Sequence, residues 1–368
     1  MKILHLITSL DRGGAENYLS CLTRGQTKDN EVFVIYFKGD GYWSNFLKAC
    51  GVKTIKLKNF FFVNQIFQIK KFIINNKIQI LHCHLSYMEI IGFFSILNNK
   101  KIKFIISKHV DNDYLGGSVK QRKTFFSRIL SYFIYKRANN IIAISQAVKK
   151  YLVENNSILS ISKKIKVIYY GIDEFYKNNC IFKIEKTKLN LDKSKVHFCF
   201  IGRLVKQKQV EGIIDAYFQL KKEYNNTNLI IVGSGPEKKK LINYCKKLKL
   251  DNHINWYPFT EDIGSVLEQI DVLCLNSSFE GLGLILLEAM SLSKPIIAPN
   301  VSACPEVVQN NINGYLVEKN SKKSYVEAMI KILDPSIRKK FSSNINVIIK
   351  SKFNYEIMLK KTQEIYRL

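Results

Sequence analysis

The sequence has few prolines and no long apolar stretch, and both shortages limit what the protein can be. Its 368 residues include six prolines, and no Pro-rich or Gly/Ser-rich tract occurs, so a long low-complexity linker is excluded. No stretch reaches the ~20 apolar residues that a membrane-spanning helix needs. The opening run MKILHLITSL breaks at Asp11, unlike a signal peptide. We therefore expect a cytosolic protein, soluble or peripheral to a membrane.

Clustered cysteines and acidic residues are also lacking. The eight cysteines are scattered without a C-x-x-C, which predicts buried free thiols in a reducing compartment and no zinc site. Thirty Asp and Glu face 57 Lys and Arg, for a formal net charge of +27. Such a chain attracts polyanions, although part of the excess reflects a bias towards Lys, Ile and Asn. No nucleic-acid-binding module accompanies the charge, so we expect no nucleic-acid partner.

The apolar residues occur in short runs separated by helical patterns. Runs that are apolar throughout suit parallel strands buried on both faces, so the pattern predicts an α/β chain with two Rossmann-like domains around a cleft. A polar connection at 174–194 separates two series of runs. We place the domains at 1–175 and 190–348, and a terminal helix at 349–368. The runs are KILHLITSL, EVFVIYF, QILHCHL, KFIISKH, NIIAIS and KVIYY, then VHFCFIGRL, LIIVGSG, INWYP, DVLCLNSS, PIIAPN and GYLV.

Two glycine turns lie where a strand pattern gives way to a helix pattern. Gly13 and Gly14 open the first series, and Gly281, Leu282 and Gly283 precede the helical run LILLEAM in the second. Such a turn brings backbone N–H groups and a helix N-terminus against an anion. One turn in each half therefore predicts phosphate binding.

Two cations and two carboxylates accompany the second series. Arg203 follows a strand pattern and Lys208 comes five residues later, where α/β sheets bind ligands and where a diphosphate could be neutralised without a metal. A solvated surface charge is the alternative for Lys208. Glu280 and Glu288 bracket the glycine turn, and a carboxylate within an apolar run needs hydrogen-bond donors. Ribose hydroxyls could supply them to Glu288; a backbone N–H or a lysine is the alternative.

In this order and spacing the motifs resemble the family 4 retaining glycosyltransferases, which have the GT-B fold. Glu280 and Glu288 match the E-x7-E signature of that family. The resemblance covers nearly the whole chain and implies two Rossmann-like domains facing a central cleft, with a C-terminal helix that crosses back to the first domain. Its other segments are GGAE, HCH, SKH, AISQAVKKYL, VIYYGID, FIGRLVKQKQVEGIIDAY, LIIVGSGPEKKKL, the block from SFEGLGLILLEAMSLSKPII to PEVV, and NGYLV.

The resemblance implies sugar transfer from a nucleotide-sugar donor to a lipid-linked or polysaccharide acceptor in bacterial surface-glycan synthesis. The reaction would retain the anomeric configuration and need no metal or further cofactor. Arg203 and Lys208 would bind the donor diphosphate, and Glu288 the ribose. Glu280 would contact the transferred sugar, and His109 would lie beside the anomeric carbon. The groups that would help hold phosphate and sugar are Gly14, Gly281, Leu282 and Gly283.

Four positions depart from the family pattern. Gln209 stands where glycine usually follows the lysine, and Ser293 replaces a glycine. Tyr170 replaces an asparagine, and Asn276 replaces a proline. None is a predicted charge contact, so the departures are compatible with activity.

Other candidate ligands have less specific contexts. Asp111 and Asp113 form a D-x-D, but two carboxylates alone make a poor metal site, so an acceptor contact or a solvated loop is favoured. His82 and His84 either pack at a strand end or lie near the acceptor, and His5 is expected to be structural.

Two other functions share this architecture. A nucleotide-sugar epimerase would need acid and base residues on both faces of the sugar, and the required carboxylates are not apparent. The second alternative is a catalytically degenerate partner subunit that binds a glycan. The departures from the family pattern at Gln209 and Ser293 support it.

Basic residues beside aromatic residues suit an anionic headgroup boundary. KTIKLKNFFFVN at 53–64 and KQRKTFFSRILSYFIYKR at 120–137 have this pattern. We predict peripheral binding to the inner face of the membrane through the first domain. Packing of Phe60, Phe61 and Phe62 in the core is the alternative.

Overall fold

The computed structural model describes residues 1–11, 13–57, 61–109, 125–155, 161–172 and 186–367. These residues form two compact units, Met1–Gly171 with Tyr355–Leu368, and Ile172–Asn354. In the described ranges no helix is both long and apolar enough to cross a membrane. The predictions that lie outside the described residues concern Phe60, Asp111, Asp113, Cys180, residues 120–124 of the second basic stretch and residues 174–185 of the connection.

The first unit is built on a parallel sheet, as its apolar runs predict. Within the described residues the strand order is β3-β2-β1-β4-β5-β6-β7. Leu4 of β1 (Lys2–Leu6) lies opposite Phe33 on one side and Leu81 on the other, so the strand is buried between two apolar neighbours. The strands are β1 (Lys2–Leu6), β2 (Glu31–Tyr36), β3 (Lys53–Lys56), β4 (Ile80–His84), β5 (Lys103–Lys108), β6 (Asn140–Ala143) and β7 (Ile165–Val167).

The C-terminal helix (Tyr355–Arg367) belongs to this first unit. The Tyr355 hydroxyl donates to the Cys21 carbonyl at 3.1 Å, and a Cβ on Gly25 would collide with Leu359. The C-terminal helix therefore packs closely against α1 (Gly14–Gln26) at Gly25, and a larger residue there would require Leu359 and Tyr355 to move. The other helices of this unit are α1 (Gly14–Gln26), α2 (Ser44–Ala49), α3 (Phe62–Asn75), α4 (Ser86–Ser95), α5 (Phe125–Arg137) and α6 (Gln146–Asn155), with a 3₁₀ turn at Ser162–Lys164.

The second unit repeats the plan with the strand order β10-β9-β8-β11-β12-β13 in the described residues. The strands are β8 (Val196–Ile201), β9 (Thr227–Val232), β10 (Ile254–Tyr257), β11 (Val272–Cys274), β12 (Ile296–Pro299) and β13 (Gly314–Val317). The helices are α7 (Val210–Lys221), α8 (Lys238–Lys247), α9 (Ile263–Gln269), α10 (Leu284–Ser291), α11 (Cys304–Val307), α12 (Lys322–Lys331) and α13 (Pro335–Lys352), with a 3₁₀ turn at Lys206–Lys208.

Side-chain caps fix several helix starts in the second unit. Asp262, Ser321 and Asp334 each accept a hydrogen bond from a backbone N–H in the first turn of α9, α12 and α13. Asp334 is followed by a proline at the first helical position, where the missing N–H costs nothing. These starts follow directly from the local sequence.

The division of the chain differs in detail from the predicted ranges. The stretch predicted as one terminal helix contains the end of α13 and then the C-terminal helix. Between them, the Phe353 carbonyl accepts a hydrogen bond from Ile172 at 2.8 Å, and Ile172 pairs with Asn354. This pairing holds the end of α13 in the second unit.

Each sheet reverses its strand order beside its first strand. β1 lies between β2 and β4, and β8 lies between β9 and β11. In open parallel sheets, ligands bind outside the carboxyl ends of the strands at such a switch point. We therefore expect a ligand site among the residues at the carboxyl ends of β1, β4, β8 and β11.

Candidate active site

Four histidines meet near the switch point of the first unit. His5 lies in β1, His82 and His84 lie in β4, and His109 directly follows β5. His5, His82 and His84 are fully buried, and His109 is 8% exposed. Because β1, β4 and β5 are neighbours in the sheet, the topology brings these rings together.

Three of these histidines and one glutamine form a continuous row of hydrogen bonds. The first joins His5 Nε2 to Gln26 Oε1 at 2.8 Å. His5 Nδ1 and His84 Nε2 are 3.1 Å apart, and His84 Nδ1 and His109 Nε2 are 3.2 Å apart. We call Gln26, His5, His84 and His109 the histidine row.

His82 stands beside the row and connects to the C-terminal helix. Its Nδ1 lies 2.5 Å from the Tyr366 hydroxyl, and its Nε2 lies 2.7 Å from the Ser107 hydroxyl. Of the two alternatives left open for His82, packing at the strand end is therefore the one observed. The same holds for His84, which is enclosed within the row.

Burial keeps these imidazoles neutral. It lowers the pKa of His5 to about 4, and together with the smaller effect of the adjacent Lys108 charge it lowers the pKa of His109 to about 3. Burial also places the pKa values of His82 and His84 well below their usual range, with smaller contributions from the other histidines. At neutral pH each ring therefore carries one proton.

A buried ion pair adjoins His109. The Lys108 ammonium lies 2.7 Å from a Glu89 carboxylate oxygen, and it stands 5.3 Å from the centroid of the Tyr135 ring. Burial opposes the charge on Lys108, but Glu89 and then Tyr135 outweigh it and raise its pKa. A fixed cation therefore adjoins the last ring of the histidine row.

The predicted phosphate turn at Gly14 is faced by a carboxylate. Helix α1 begins at Gly14, and the Glu16 carboxylate folds back over Gly13, where a Cβ would collide with it. The Ser9 hydroxyl donates to that carboxylate at 3.0 Å. The positive end of the helix thus already faces negative charge, which an anion would have to displace.

Three of these histidines also have the spacing of a metal site. Among the described residues, ring nitrogens of His5, His82 and His84 lie within 4.8 Å of one another. Each of these nitrogens has a hydrogen-bond partner in the protein, so the cluster is satisfied as it stands.

In the second unit, the loops after β8 and β11 are joined. The Ser278 N–H donates to the Gln207 carbonyl at 2.8 Å, and the Gln207 side-chain amide donates to the Phe279 carbonyl at 2.9 Å. These bonds bring Lys208 Nζ to 2.5 Å from Glu280 Oε1. The two side chains are 15% and 9% exposed, so the solvated alternative does not describe Lys208.

Arg203 lies just beyond the end of β8 and differs from Lys208. Its side chain is exposed, and within the described part of the chain it has no ion-pair or hydrogen-bond partner. The backbone of its loop passes close to Gly233, where a Cβ would collide with the Gly202 carbonyl oxygen. The guanidinium therefore remains available for an anionic ligand.

Glu288 lies in α10, the helix that follows the glycine turn. Gly283 caps this helix in a left-handed conformation with φ of 75°. The Glu288 carboxyl group is partly exposed and has no hydrogen-bond or ion-pair partner among the described residues, so neither structural alternative is observed. Burial raises its pKa to about 7.

Two departures from the family pattern lie at left-handed backbone positions. Gln209 has φ of 45° and ψ of 43°, and Ser293 has φ of 57°. Glycine adopts this conformation without a steric cost, which explains why it is usual there. A third departure, Asn276, donates to the Gln209 carbonyl at 3.1 Å and thereby supports the strained turn after Lys208.

A cavity of about 420 Å³ adjoins this turn. Gln209, Asn276, Glu211, Asp215 and Tyr325 are among its lining residues. None of the predicted site residues lines it. The cavity is therefore separate from the group formed by Lys208 and Glu280.

The structure adds residues that the sequence did not indicate. Gln26 and Tyr366 hold the histidines, Gln207 holds Lys208 beside Glu280, and Glu89 pairs with Lys108. Each contact joins segments that are distant in sequence.

Two protein-family models match the chain, one in its N-terminal half and one in its C-terminal half. Residues 12–174 match a family model described as Glycosyltransferase Family 4, and residues 182–346 match one described as Glycosyl transferases group 1. An uncharacterized glycosyltransferase of Methanocaldococcus jannaschii is 33% identical over 295 residues, which span 75% of this chain and 71% of that protein. The capsular polysaccharide biosynthesis glycosyltransferase CapM of Staphylococcus aureus is 26% identical over 258 residues, 68% of this chain and 67% of its own.

A solved structure shows the same fold. Anabaena HepE in complex with UDP-glucose superposes with a TM-score of 0.81 at 19% identity, covering 100% of both chains. Two parallel-sheet, Rossmann-like units in this order constitute the GT-B fold that the sequence motifs predict.

Proposed function

The chain belongs to the family 4 glycosyltransferases, and on that premise we propose that it moves a sugar from a nucleotide-sugar donor to a lipid-linked or polysaccharide acceptor. The product would be a bacterial surface glycan. The relative CapM, named for capsular polysaccharide biosynthesis, supports this class of product.

The observation that carries the proposal is the unpartnered carboxyl group of Glu288. A group in this position is costly to ionise unless a donor reaches it, and its raised pKa reflects that cost. Two ribose hydroxyls would supply the missing donors. The nucleotide of the donor would then lie along the start of α10, with its phosphates towards the N–H groups after Gly281.

Arg203 and Lys208 would hold the donor diphosphate. Two cations can neutralise the pyrophosphate without a metal ion, so we propose that the enzyme works in the presence of a chelator. The Lys208–Glu280 ion pair supports a shared role for both residues. As the phosphate departs, Lys208 would turn from the carboxylate towards the leaving group, and Glu280 would remain near the sugar.

We propose that the reaction retains the anomeric configuration and uses no protein nucleophile. The acceptor hydroxyl would attack from the side of the leaving group, and the departing phosphate would take up its proton. The protein would contribute placement and stabilisation of separated charge. His109 would lie beside the anomeric carbon as a neutral imidazole.

A thermal-shift screen over nucleotides and nucleotide sugars tests the donor class. UDP-glucose is the first to try, because the similar HepE was solved with it. A ligand at a hundredfold excess over its dissociation constant should stabilise the protein by roughly 2.7 kcal/mol. No stabilisation by any nucleotide sugar would reject the proposal. With a donor in hand, the product's anomeric configuration by NMR, with and without EDTA, tests retention and metal independence.

The membrane contact is a separate part of the proposal. Phe61 is 79% exposed, so the core-packing alternative does not apply to it, whereas Phe62 is 39% exposed and its ring contacts Tyr87 and Phe94. Phe67 of α3 is 65% exposed. Lys70 and Lys71 of the same helix are also exposed. Lys53 forms an ion pair with Glu31 at 2.5 Å, and its side chain is 60% exposed.

We propose that Phe61, Phe67 and the exposed lysines of α3 bind the inner, anionic face of the membrane. Vesicle sedimentation with and without anionic lipid tests this. Phe61→Ser with Phe67→Ser should reduce binding to anionic vesicles, whereas Phe259→Ser, an exposed phenylalanine of the second unit, should not. Equal binding by both variants would rule out this surface.

A further inference from the structure

The histidine row restricts where its protons can lie. A neutral imidazole has one N–H donor and one acceptor nitrogen. In His5 and His84 both nitrogens are used within the row, at 2.8 to 3.2 Å. A ring that donates at one nitrogen must accept at the other, so the direction of one hydrogen bond determines the direction of all three.

Gln26 sets that direction at the buried end of the row. Its Oε1 faces His5 Nε2, and a carbonyl oxygen can only accept. His5 therefore donates through Nε2 and accepts through Nδ1, and His84 then does the same. His109 is left with its proton on Nε2, where it donates to His84.

The far end of the row has one open position. His109 Nδ1 has no hydrogen-bond partner among the described residues, and it is not one of the fully enclosed unpaired polar atoms found there. With the proton on Nε2, this nitrogen presents a lone pair. The nearby Lys108 ammonium opposes a second proton, so the ring varies in tautomer and not in charge.

We propose that Gln26 is a positioning residue that fixes the tautomer of His109 through His5 and His84, so that His109 Nδ1 accepts a hydrogen bond from a ligand hydroxyl group. The opposite tautomer would present an N–H and would select an oxygen lone pair. Gln26 touches no part of the proposed donor or acceptor. The identification of the ligand as a sugar hydroxyl rests on the proposed function. The assignment of the tautomer does not depend on that function.

The hydrogen bonds favour this role over a metal site in the same histidines. A metal ion bound by His5, His82 and His84 would take the acceptor lone pairs that now receive protons from neighbouring groups. It would also place two positive charges among fully buried rings near Lys108. Binding of stoichiometric zinc by the purified protein would overturn the proposal.

NMR of the whole chain with ¹⁵N-labelled histidine tests the proposal directly. Protonated and unprotonated ring nitrogens have distinct ¹⁵N shifts, and His109→Gln assigns the signal. We expect the wild type to carry the His109 proton on Nε2. Gln26→Met keeps the side-chain length without the acceptor and should give a mixture of tautomers. A matched control is Gln65→Met, which removes another buried glutamine of the first unit that bonds to Tyr87 and not to a histidine.

Two NMR results would also overturn the proposal: an Nδ1 proton on wild-type His109, or an unchanged tautomer in Gln26→Met. The wild-type spectrum decides the direction even if the variant fails to fold. For turnover, Gln26→Met should lower kcat about tenfold, the loss of about one hydrogen bond, with nucleotide affinity unchanged. If the tautomer responds as expected but no sugar transfer is found with any donor, the proposed function fails and the tautomer assignment stands.

Discussion

The two switch points carry polar clusters of opposite kinds. In the first unit, the histidine row is neutral, and all but one of its ring nitrogens are paired with other protein groups. In the second unit, Lys208 and Glu280 are charged side chains paired with each other, and Arg203 and Glu288 have no partner in the described part of the chain. A polar ligand can pair with the unused hydrogen-bonding groups of the second cluster, Arg203 and Glu288.

The neutral histidine row and the charged Lys208–Glu280 pair also order their side chains for a ligand in different ways. In the first unit, buried rings fix the position of a proton before any ligand arrives. In the second, the Lys208–Glu280 ion pair keeps a cation and a carboxylate in place until an anion competes for the lysine. Substitutions in the second unit should therefore change nucleotide binding and turnover, whereas those in the row should change the proton position and turnover but leave nucleotide affinity unchanged.

The largest effect should come from removing the cation of the ion pair. Lys208→Ala should slow turnover roughly 100–1000-fold, the usual effect of losing one placed electrostatic contact, or about 2.7–4 kcal/mol. Steady-state kinetics with the identified donor measures this. Lys206→Ala, an exposed lysine of the same 3₁₀ turn, is the control and should retain turnover. Wild-type turnover in the Lys208 variant would mean that the diphosphate binds elsewhere.

Removing the carboxylate of the same pair should have a different signature. Glu280→Gln should lower kcat roughly 10–150-fold, since a hydrogen bond to a charged group contributes about 1.5–3 kcal/mol. Free nucleotide diphosphate should bind at least as tightly as to wild type, because Lys208 is released from its partner. Kinetics and calorimetry on this variant separate the two effects. Weaker nucleotide binding would instead assign Glu280 to the nucleotide.

The unpartnered carboxyl group predicts a pH dependence of stability. The folded pKa of Glu288 is raised to about 7, so between the ordinary carboxyl pKa and pH 7 the folded state binds more protons than the unfolded state. The free energy of unfolding should therefore fall as pH rises through this window, by about 2 kcal/mol for a partly exposed group. Urea unfolding of wild type and Glu288→Gln at several pH values measures it. The difference between them should be flat if the carboxyl group is solvated.

The smallest effect concerns the strained turns. Gln209→Gly and Ser293→Gly should each raise the free energy of unfolding by about 0.5–1 kcal/mol, because glycine relieves the left-handed strain and loses part of the gain to chain entropy. Denaturant unfolding measures both. Lys206→Gly, in the right-handed 3₁₀ turn, should lower stability by a similar amount. Destabilisation by all three variants would show that the Gln209 and Ser293 side chains contribute more than their strain costs.

Much of the fold was predictable because the strands are buried on both faces and read as apolar runs. β3 was missed because it is a half-exposed edge strand, KTIK, and its residues were assigned to a membrane segment. The glycine turn and helix around Glu280 and Glu288 were predictable from local sequence. The ion pair of Lys208 with Glu280 and the contact of Gln26 with His5 were not, because they depend on which strands become neighbours.

The left-handed turns show a further limit of sequence reasoning. Gln209 and Ser293 were recognised as departures from a family pattern, but neither residue type indicates a positive φ. The conformation is imposed by surrounding contacts, such as the hydrogen bond from Asn276 to the Gln209 carbonyl.

Calorimetric titration of UDP, or of the nucleotide selected by the thermal-shift screen, tests the central claim that the second unit holds the donor nucleotide through Glu288. Glu288→Gln should weaken binding by roughly 1.5–3 kcal/mol, and Gln26→Met in the histidine row should bind like wild type. Wild-type affinity in Glu288→Gln together with lost affinity in Gln26→Met would contradict the account and assign the nucleotide to the first unit.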